Sequence, residues 1–487
     1  MLFDDNRMLF FDGQCIESME NVTLTLNPPA KCGPCLHVEK EWELGGVRPL
    51  CVVSWQGAYR FYYKVTLSDD RIVLAMATST DGIAWERPEL DVVSFNGSTA
   101  NNLVDIGDQR PNEVCIFVDP TGPDEHRFKS VGHSQQDGGM YLMTSPDGLR
   151  FKREKGHLLQ FIVDCHNSSF YDPRIGKYVI YFRGWDRSRP IPLIPGSRVV
   201  LRAETDDLSV PIPIDENAPD RWPVSPKWSD IVDGGLRRMN RELPTVLSCD
   251  DEDPSSASFY QPAAVQYLPD VYFAFPSLYY SFPWPPDGKF INDGVLDLQF
   301  AASRDGIDWR RDFRGSYVRL DLPDGSCTKM MHMLGGMVPN GYCISQYYVG
   351  GRRTHGEGRV DKDTKVRRPV HMGHSIAYRL EQRMDGFISA DSAYRGGTLV
   401  TPPFTLESAM LRINVDTSAS GMAHASLLDE SGSVIPGYGL EESDPIQGND
   451  TEYVLSWRGE RDLAGLAGKQ IKLLLQSRNT KLFAVYP

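Results

Sequence analysis

Residues 78–90 read TSTDGIAWERPEL, and the phrase inside it, Ser-x-Asp-Gly-hydrophobic-x-aromatic, returns twice. Residues 145–151 are SPDGLRF and residues 303–309 are SRDGIDW. An Asp-Gly pair supplies the positive φ angles of a tight hairpin at little cost. The Ser and Asp side chains tie down turn amides, and the aromatic packs back on the sheet. Each phrase is therefore expected to punctuate a hairpin and to take no part in catalysis.

The flanking sequence repeats as well. CVVSWQGAYRFYY (51–63) reads as two strands around a glycine turn, and RIVLAMATS (71–79) leads into the first phrase. A second unit holds EVCIFVDP (113–120), RFKSVGHS (127–134) and the second phrase. A third holds SSFYDPRIGKYVIYFRGW (168–185) and SRVVLRAETDDLSV (197–210), with its turn reduced to Thr205-Asp206-Asp207. The fourth runs from AAVQYLPDVYFAFPSLYY (263–280) to the third phrase, and the fifth from YCISQYYVGG (342–351) to GHSIAYRLEQRMDGFIS (373–389). No run of ten or more residues keeps helical amphipathic spacing. Repeated small antiparallel units predict an all-β chain whose residues 40–391 form a five-bladed β-propeller. After residue 397 the texture becomes alternating strands with short turns, which predicts a β-sandwich over 397–487. Residues 1–39 read as a lead segment packing on one of these domains.

At 487 residues the chain is long enough for a large core and too long for one simple domain. A formal charge of −14 disfavours general nucleic-acid binding, which needs clustered Lys and Arg. No stretch approaches the roughly 20 apolar residues of a membrane span. The acidic N-terminus MLFDDNRMLFFDG lacks the basic start of a secretory signal, so a cytoplasmic location is expected. Nine scattered cysteines fit buried thiols better than a disulfide framework. The C-x-x-C in KCGPC (31–35) follows Pro28 and Pro29 and opens no helix, which argues against a redox site. No zinc spacing and no EF-hand loop occurs, so no metal or cofactor is expected.

STDGIAWERPELDVVSFNGSTANNL (79–103), FYDPRIGKYVIYFRG (170–184), GGTLVTPPFTL (396–406), IPGYGLEESDPIQGND (435–450) and LSWRG (455–459) carry a wider likeness. With the five repeats they make the chain resemble the arabinanase, xylosidase and fructofuranosidase group of five-bladed glycoside hydrolases, and more closely a bacterial glycosidase branch with a C-terminal β-sandwich. The resemblance implies a propeller, a carbohydrate substrate, and catalysis by carboxylates on successive inner strands. The group's W-x-N-D-P-N-G, R-D-P and E-C motifs are missing here, so its catalytic residues do not transfer.

Position supplies the candidates instead. Polar residues that open each unit's first strand meet at a propeller's axis. The first unit offers Glu39, Glu41, Glu43 and Arg48, and the second Asn101, Asn102, Arg110 and Asn112. Asp164 and His166 open the third, Tyr260 and Gln261 the fourth, and His332 the fifth. An acid between LLQFIV and SSFYDP is costly to bury without a partner or a task, which makes Asp164 the first catalytic candidate. Glu41, Asp297 and His355 are the candidates for its acid partner. His166, Arg183, Arg198, Arg202, Asn102, Tyr260 and His332 are the expected substrate contacts, Arg198 and Arg202 sharing one strand face. The leading expectation is a glycoside hydrolase acting on an oligosaccharide or small glycoside. A non-catalytic carbohydrate-binding propeller and a sugar lyase or isomerase using His and Arg are the alternatives. The sandwich, lacking a solvent-facing aromatic triplet, is expected to be structural.

Overall fold

The computed structural model describes every residue except 68–70, 108–112, 134–138, 160–165, 187–188, 190, 192–195, 214–242, 284–291 and 357–375. Among the described residues the chain is all-β: regular structure is strand, with short 3₁₀ turns and no α-helix. No helix is long and apolar enough to cross a membrane. The chain divides into two compact units. One comprises residues 1–3, 31–340 and 345–381, the other residues 4–30, 341–344 and 382–487.

In the larger unit, consecutive strands pair antiparallel in chain order. The first sheet is Val47–Trp55, Ala58–Thr66, Ile72–Ser79 and Leu103–Val104. The second is Cys115–Val118, Phe128–His133, Met140–Ser145 and Lys152–Arg153, and the third Ser168–Asp172, Lys177–Asp186, Ser197–Thr205 and Thr245–Leu247. In the fourth, three lines of chain each break in two. Ala257–Gln261, Ser277–Ser281 and Gly294–Leu298 pair at one end, and Ala264–Leu268, Val271–Ala274 and Ala301–Ser303 at the other. Pro262 and Pro276 sit at two of the breaks, because proline has no N–H to give a ladder. The last sheet is Met330–Asn340, Cys343–Gly351 and Ala377–Arg383, with Ala30–Leu36 on its outer edge.

First strands touch in succession. Cys51 Sγ reaches Ile116 O at 3.8 Å, and Cys115 Sγ reaches Ser169 O at 3.6 Å. Ala264 N donates to Ser168 Oγ at 2.9 Å, and Gln261 Nε2 to Met333 O at 2.7 Å. Met330–Asn340 then pairs parallel with Val47–Trp55 at Gly335 and Cys51. The succession thus closes on itself, and a continuous eight-stranded run carries the last sheet into the first. The apolar core lies between neighbouring sheets: Tyr62, Met76, Phe128 and Met143 between first and second, and Val179, Tyr181, Phe259 and Leu278 between third and fourth.

The repeated phrase holds these sheets together. Gly82, Gly148 and Gly306 have φ of +71°, +73° and +72°. In each turn the serine Oγ accepts from the glycine amide at 2.8 to 2.9 Å, and the aspartate Oδ1 accepts from the residue after glycine at 2.8 Å. A buried tyrosine on a neighbouring sheet, or for Gly82 on the far half of the eight-stranded run, then donates to the glycine carbonyl: Tyr347 to Gly82 at 2.6 Å, Tyr62 to Gly148 at 3.0 Å and Tyr181 to Gly306 at 2.7 Å. The aromatic that ends the phrase packs on that same tyrosine, with ring centroids 5.7 Å apart for Trp85, 6.4 Å for Phe151 and 5.9 Å for Trp309. Only glycine leaves room for the hydroxyl, since an added Cβ would lie 2.5 to 2.6 Å from it in all three turns. The Asp-Gly of the fifth unit is used otherwise. Asp385 lies in the smaller unit, buried, and accepts from Arg7 Nη1 at 2.9 Å and Tyr486 Oη at 2.7 Å.

In the smaller unit the strand order is Ser18–Glu20, Gly397–Val400, Gln470–Arg478, Arg412–Leu428, Thr480–Tyr486, Ile388–Ser392 and Val22–Leu26. The 17-residue strand Arg412–Leu428 pairs first with Thr480–Tyr486 and then with Gln470–Arg478. Its core includes Leu411, Ile413, Leu427, Leu473 and Trp457. Trp457 is buried and donates from Nε1 to Ala425 O at 3.0 Å.

Candidate functional site

The ends of the touching first strands carry polar side chains toward one another. Arg48 lies in Val47–Trp55 directly opposite Lys64 in Ala58–Thr66. Two like charges so placed repel, and Glu113 offsets them. Its Oε1 is 2.6 Å from Arg48 Nη2 and 4.0 Å from Lys64 Nζ. Glu113 stands just ahead of Cys115–Val118 at φ +50°, a left-handed backbone that a non-glycine residue holds only when its surroundings over-determine it. Its backbone carbonyl accepts from Asn167 Nδ2 at 3.1 Å, which anchors the bend to the next first strand.

Burial alone raises the Glu113 carboxyl, but Arg48 and Lys64, with His166 and His133 beyond them, overcome it and hold the group at about 2. Burial lowers Lys64 to about 8. His166 and His332 are coupled to the same charges. Burial brings each down to about 4, Arg48 pushing them down further and Glu113 working the other way. At neutral pH the cluster therefore contains one fixed carboxylate and two uncharged imidazoles.

Tyr260, in Ala257–Gln261, continues the arrangement. Its ring centroid is 5.3 Å from His332 and 5.3 Å from His355. His355 Nδ1 is 2.8 Å from Asn292 O, an acceptor only, so Nδ1 carries the proton. Nε2 then accepts from Tyr260 Oη at 3.0 Å. The backbone around His355 is fixed by His355 N to Gly294 O at 2.9 Å and Gly356 N to Asp293 Oδ1 at 2.6 Å. Arg183 and Arg198, both buried, lay their guanidinium groups over the Tyr260 ring at 5.2 Å each. Arg198 also lies 4.7 Å from the Trp185 ring and 4.8 Å from Tyr279, and donates to Asn292 Oδ1 at 3.0 Å. Desolvated cation–π contacts of this kind fix the guanidinium planes.

The structure thus brings together His166, His332, Tyr260, His355, Arg183 and Arg198 from the sequence candidates. Glu113 and Lys64 join them unforeseen. The rule that found Arg48 stopped at Asn112, one residue short of Glu113.

Other candidates lie apart. Arg202 donates to Tyr181 Oη and Gly306 O at 2.7 Å each and to Glu204 Oε1 at 2.9 Å, so it braces the third phrase. Asn102 is fully buried between Trp42 Nε1 (2.9 Å) and Met76 O (2.9 Å). Glu41 is exposed in a 3₁₀ turn and accepts from Asn96 at 3.5 Å. Asp297 neighbours Leu296 in sequence, and Leu296 packs beside Tyr279; strand alternation turns Asp297 to the opposite face, where Ser316 donates to it. Burial raises Asp297 to about 6, and its Oδ1 has no hydrogen-bond partner among the described residues. Asp164, Arg110 and Asn112 lie outside the described residues. Among the described residues, no three His, Cys, Asp or Glu side chains are grouped to hold a metal ion.

No protein-family model and no curated protein matches the chain. Solved structures that resemble it include a glycosyl hydrolase from Bacteroides ovatus, 13% identical with a TM-score of 0.41, the match covering 73% of this chain and 90% of that one. An N-acetylgalactosamine deacetylase from F. plautii is 12% identical with a TM-score of 0.40, covering 75% and 96%. A thermostable family-43 glycoside hydrolase is 13% identical with a TM-score of 0.38, covering 71% and 93%. These scores are low, and the chemistry of this chain follows from its own side chains.

Proposed function

We propose that the larger unit is a five-bladed β-propeller and the smaller a β-sandwich, and that the chain is a glycoside hydrolase working at the mouth of the propeller axis. The propeller is then the unit of residues 1–3, 31–340 and 345–381, and the sandwich that of residues 4–30, 341–344 and 382–487, with the lead strands shared out between them. One observation carries the reading. Arg48, Tyr260 and His332 in first strands, with Glu113 and His166 just ahead of theirs, form one electrostatically coupled polar cluster. Arg183, Arg198, Trp185 and Tyr279 add planar donors and aromatic faces beside them, a lining suited to sugar hydroxyls and sugar rings.

Glycoside cleavage needs one group to protonate the leaving oxygen and another to activate water. The Tyr260–His355 pair does the second. As water gives its proton to Tyr260 Oη, the phenolic proton passes to Nε2, which already accepts it. His355 therefore acts as a base in this reading and not as the acid expected from sequence. Glu113, held ionised by Arg48 and Lys64, stabilises positive charge developing at the anomeric carbon. Asp164, expected from sequence as the base, takes the proton-donor role in this reading on its position alone, two residues before His166 in sequence. Glu41 and Asp297 take no part.

The test is release of sugar from pooled aryl glycosides and native oligosaccharides. Tyr260→Phe and Asp164→Asn should each cut turnover by on the order of 10²-fold or more, as loss of a general acid or base does, with unchanged melting. Full activity in both variants would remove the mechanism. A second reading rests on the scarcity of free carboxylates: Glu113 is ion-paired with Arg48, and Asp293 accepts from the Gly294 and Gly356 amides. Arginines that neutralise a sugar carboxylate, with Tyr260 taking the adjacent proton, would suit a lyase. Unsaturated products in place of hydrolysed ones would select it.

A further inference from the structure

The smaller unit carries a groove of about 370 Å³ on its sheet, within the range of small-molecule clefts. Strand register explains its lining. Glu20 pairs with Thr398, Thr398 with Gln476, and Gln476 with His424. One polar row therefore crosses four strands, three gaps of ~4.8 Å or roughly 14 Å in all. Arg395 and Arg478 stand at its side. Neither forms an ion pair with a described residue, and two guanidiniums against the single carboxylate of Glu20 make the groove basic in a chain of net charge −14. Tyr394, 68% exposed, presents a ring 5.7 Å from the Arg478 guanidinium.

We propose that this groove binds an acidic saccharide, independently of the propeller mouth. The row of mixed donors and acceptors takes sugar hydroxyls, the arginine forks take a carboxylate, and Tyr394 stacks on a sugar face. A single inorganic anion would leave most of the row unfilled. The groove is built from Glu, Arg, His and Gln side chains spread over residues 20–478 instead of an aromatic triplet, so no local pattern marks it.

Met422 lines the groove and reports on it alone. In the full chain with methyl-labelled methionine, its signal, assigned through Met422→Leu, is followed during titration with trigalacturonate, neutral galactotriose and inorganic phosphate. Trigalacturonate should shift the Met422 signal saturably, and the other two should not. Arg395→Ala/Arg478→Ala, at exposed positions, should weaken that binding by about tenfold or more, the scale of a lost charged hydrogen bond. Tyr260→Phe should leave it unchanged. A Met422 signal unmoved by trigalacturonate would overturn the proposal. So would equal binding of galactotriose or phosphate, or undiminished affinity in the double variant.

Discussion

Gly306→Ala tests whether the repeated phrase clamps sheets together or merely turns the chain. The substitution has two costs that the structure separates. At φ +72° any Cβ incurs the left-handed penalty, about 1–2 kcal/mol. The new methyl would also stand 2.5 Å from both Tyr181 Oη and Arg202 Nη1, inside van der Waals contact. Pushing those buried groups away adds about 1–3 kcal/mol of overpacking, and the Tyr181–Gly306 and Arg202–Gly306 hydrogen bonds are lost or stretched with it. The sum is roughly 2–5 kcal/mol. Gly57→Ala is the internal control. Its φ is +78°, yet an added Cβ meets nothing within 4 Å, so only the first cost of about 1–2 kcal/mol applies. Urea midpoints of the two variants and the parent, read at one pH, give the difference without assuming that both units unfold together. Equal losses for Gly57→Ala and Gly306→Ala would refute the clamp.

Three further outcomes follow from charge and pairing. His166 and His332 titrate near 4 in the folded chain against 6.5 ordinarily, so the unfolded chain binds more protons between those values. Stability should therefore be full above pH 6.5 and fall as pH drops toward 4, and urea midpoints that stay flat over that window in the parent would contradict it. Asp297 has the opposite sign: its folded value near 6 lies above the ordinary 3.8, so its buried charge is a liability at pH 7 that protonation relieves. Asp297→Asn should raise the midpoint at pH 7 and change it less at pH 4.5, and a loss at pH 7 would count against that account. Deleting residues 397–487 strips Ser18–Glu20 of its partner Gly397–Val400 and Met8–Leu9 of Thr480–Tyr486. The truncated chain should be insoluble, and a soluble, monodisperse product would show the pairing to be dispensable.

Much of the strand content was legible because the phrase is local: seven consecutive residues hold the turn, its two side-chain caps and its closing aromatic. The tyrosines that complete it were not. Tyr62 acts 86 residues before Gly148, and Tyr347 acts 265 residues after Gly82, so no local pattern connects them. The same distance hid the placement of Ala30–Leu36 on the edge of the last sheet, which joins residues at opposite ends of the larger unit. Pro262 and Pro276 interrupt the fourth sheet within runs that look continuous by hydrophobicity.

At the site, strand periodicity puts Arg198 and Arg202 on one face but says nothing of depth. Four residues along a strand span about 13 Å, enough to leave Arg198 beside Tyr260 and put Arg202 on the Gly306 turn. Glu113 escaped because it stands ahead of its strand at a left-handed bend, where strand alternation assigns no inward position. Asp297 was chosen for lying in a strand, and alternation turned it to the other face.

The most direct test of the central claim is a difference electron-density map of crystals soaked with a sugar that the chain is shown to bind or cleave. Density in contact with Tyr260, His332 and Arg198 is the predicted result. A sugar bound to the larger unit anywhere else, with that place left empty, would contradict it.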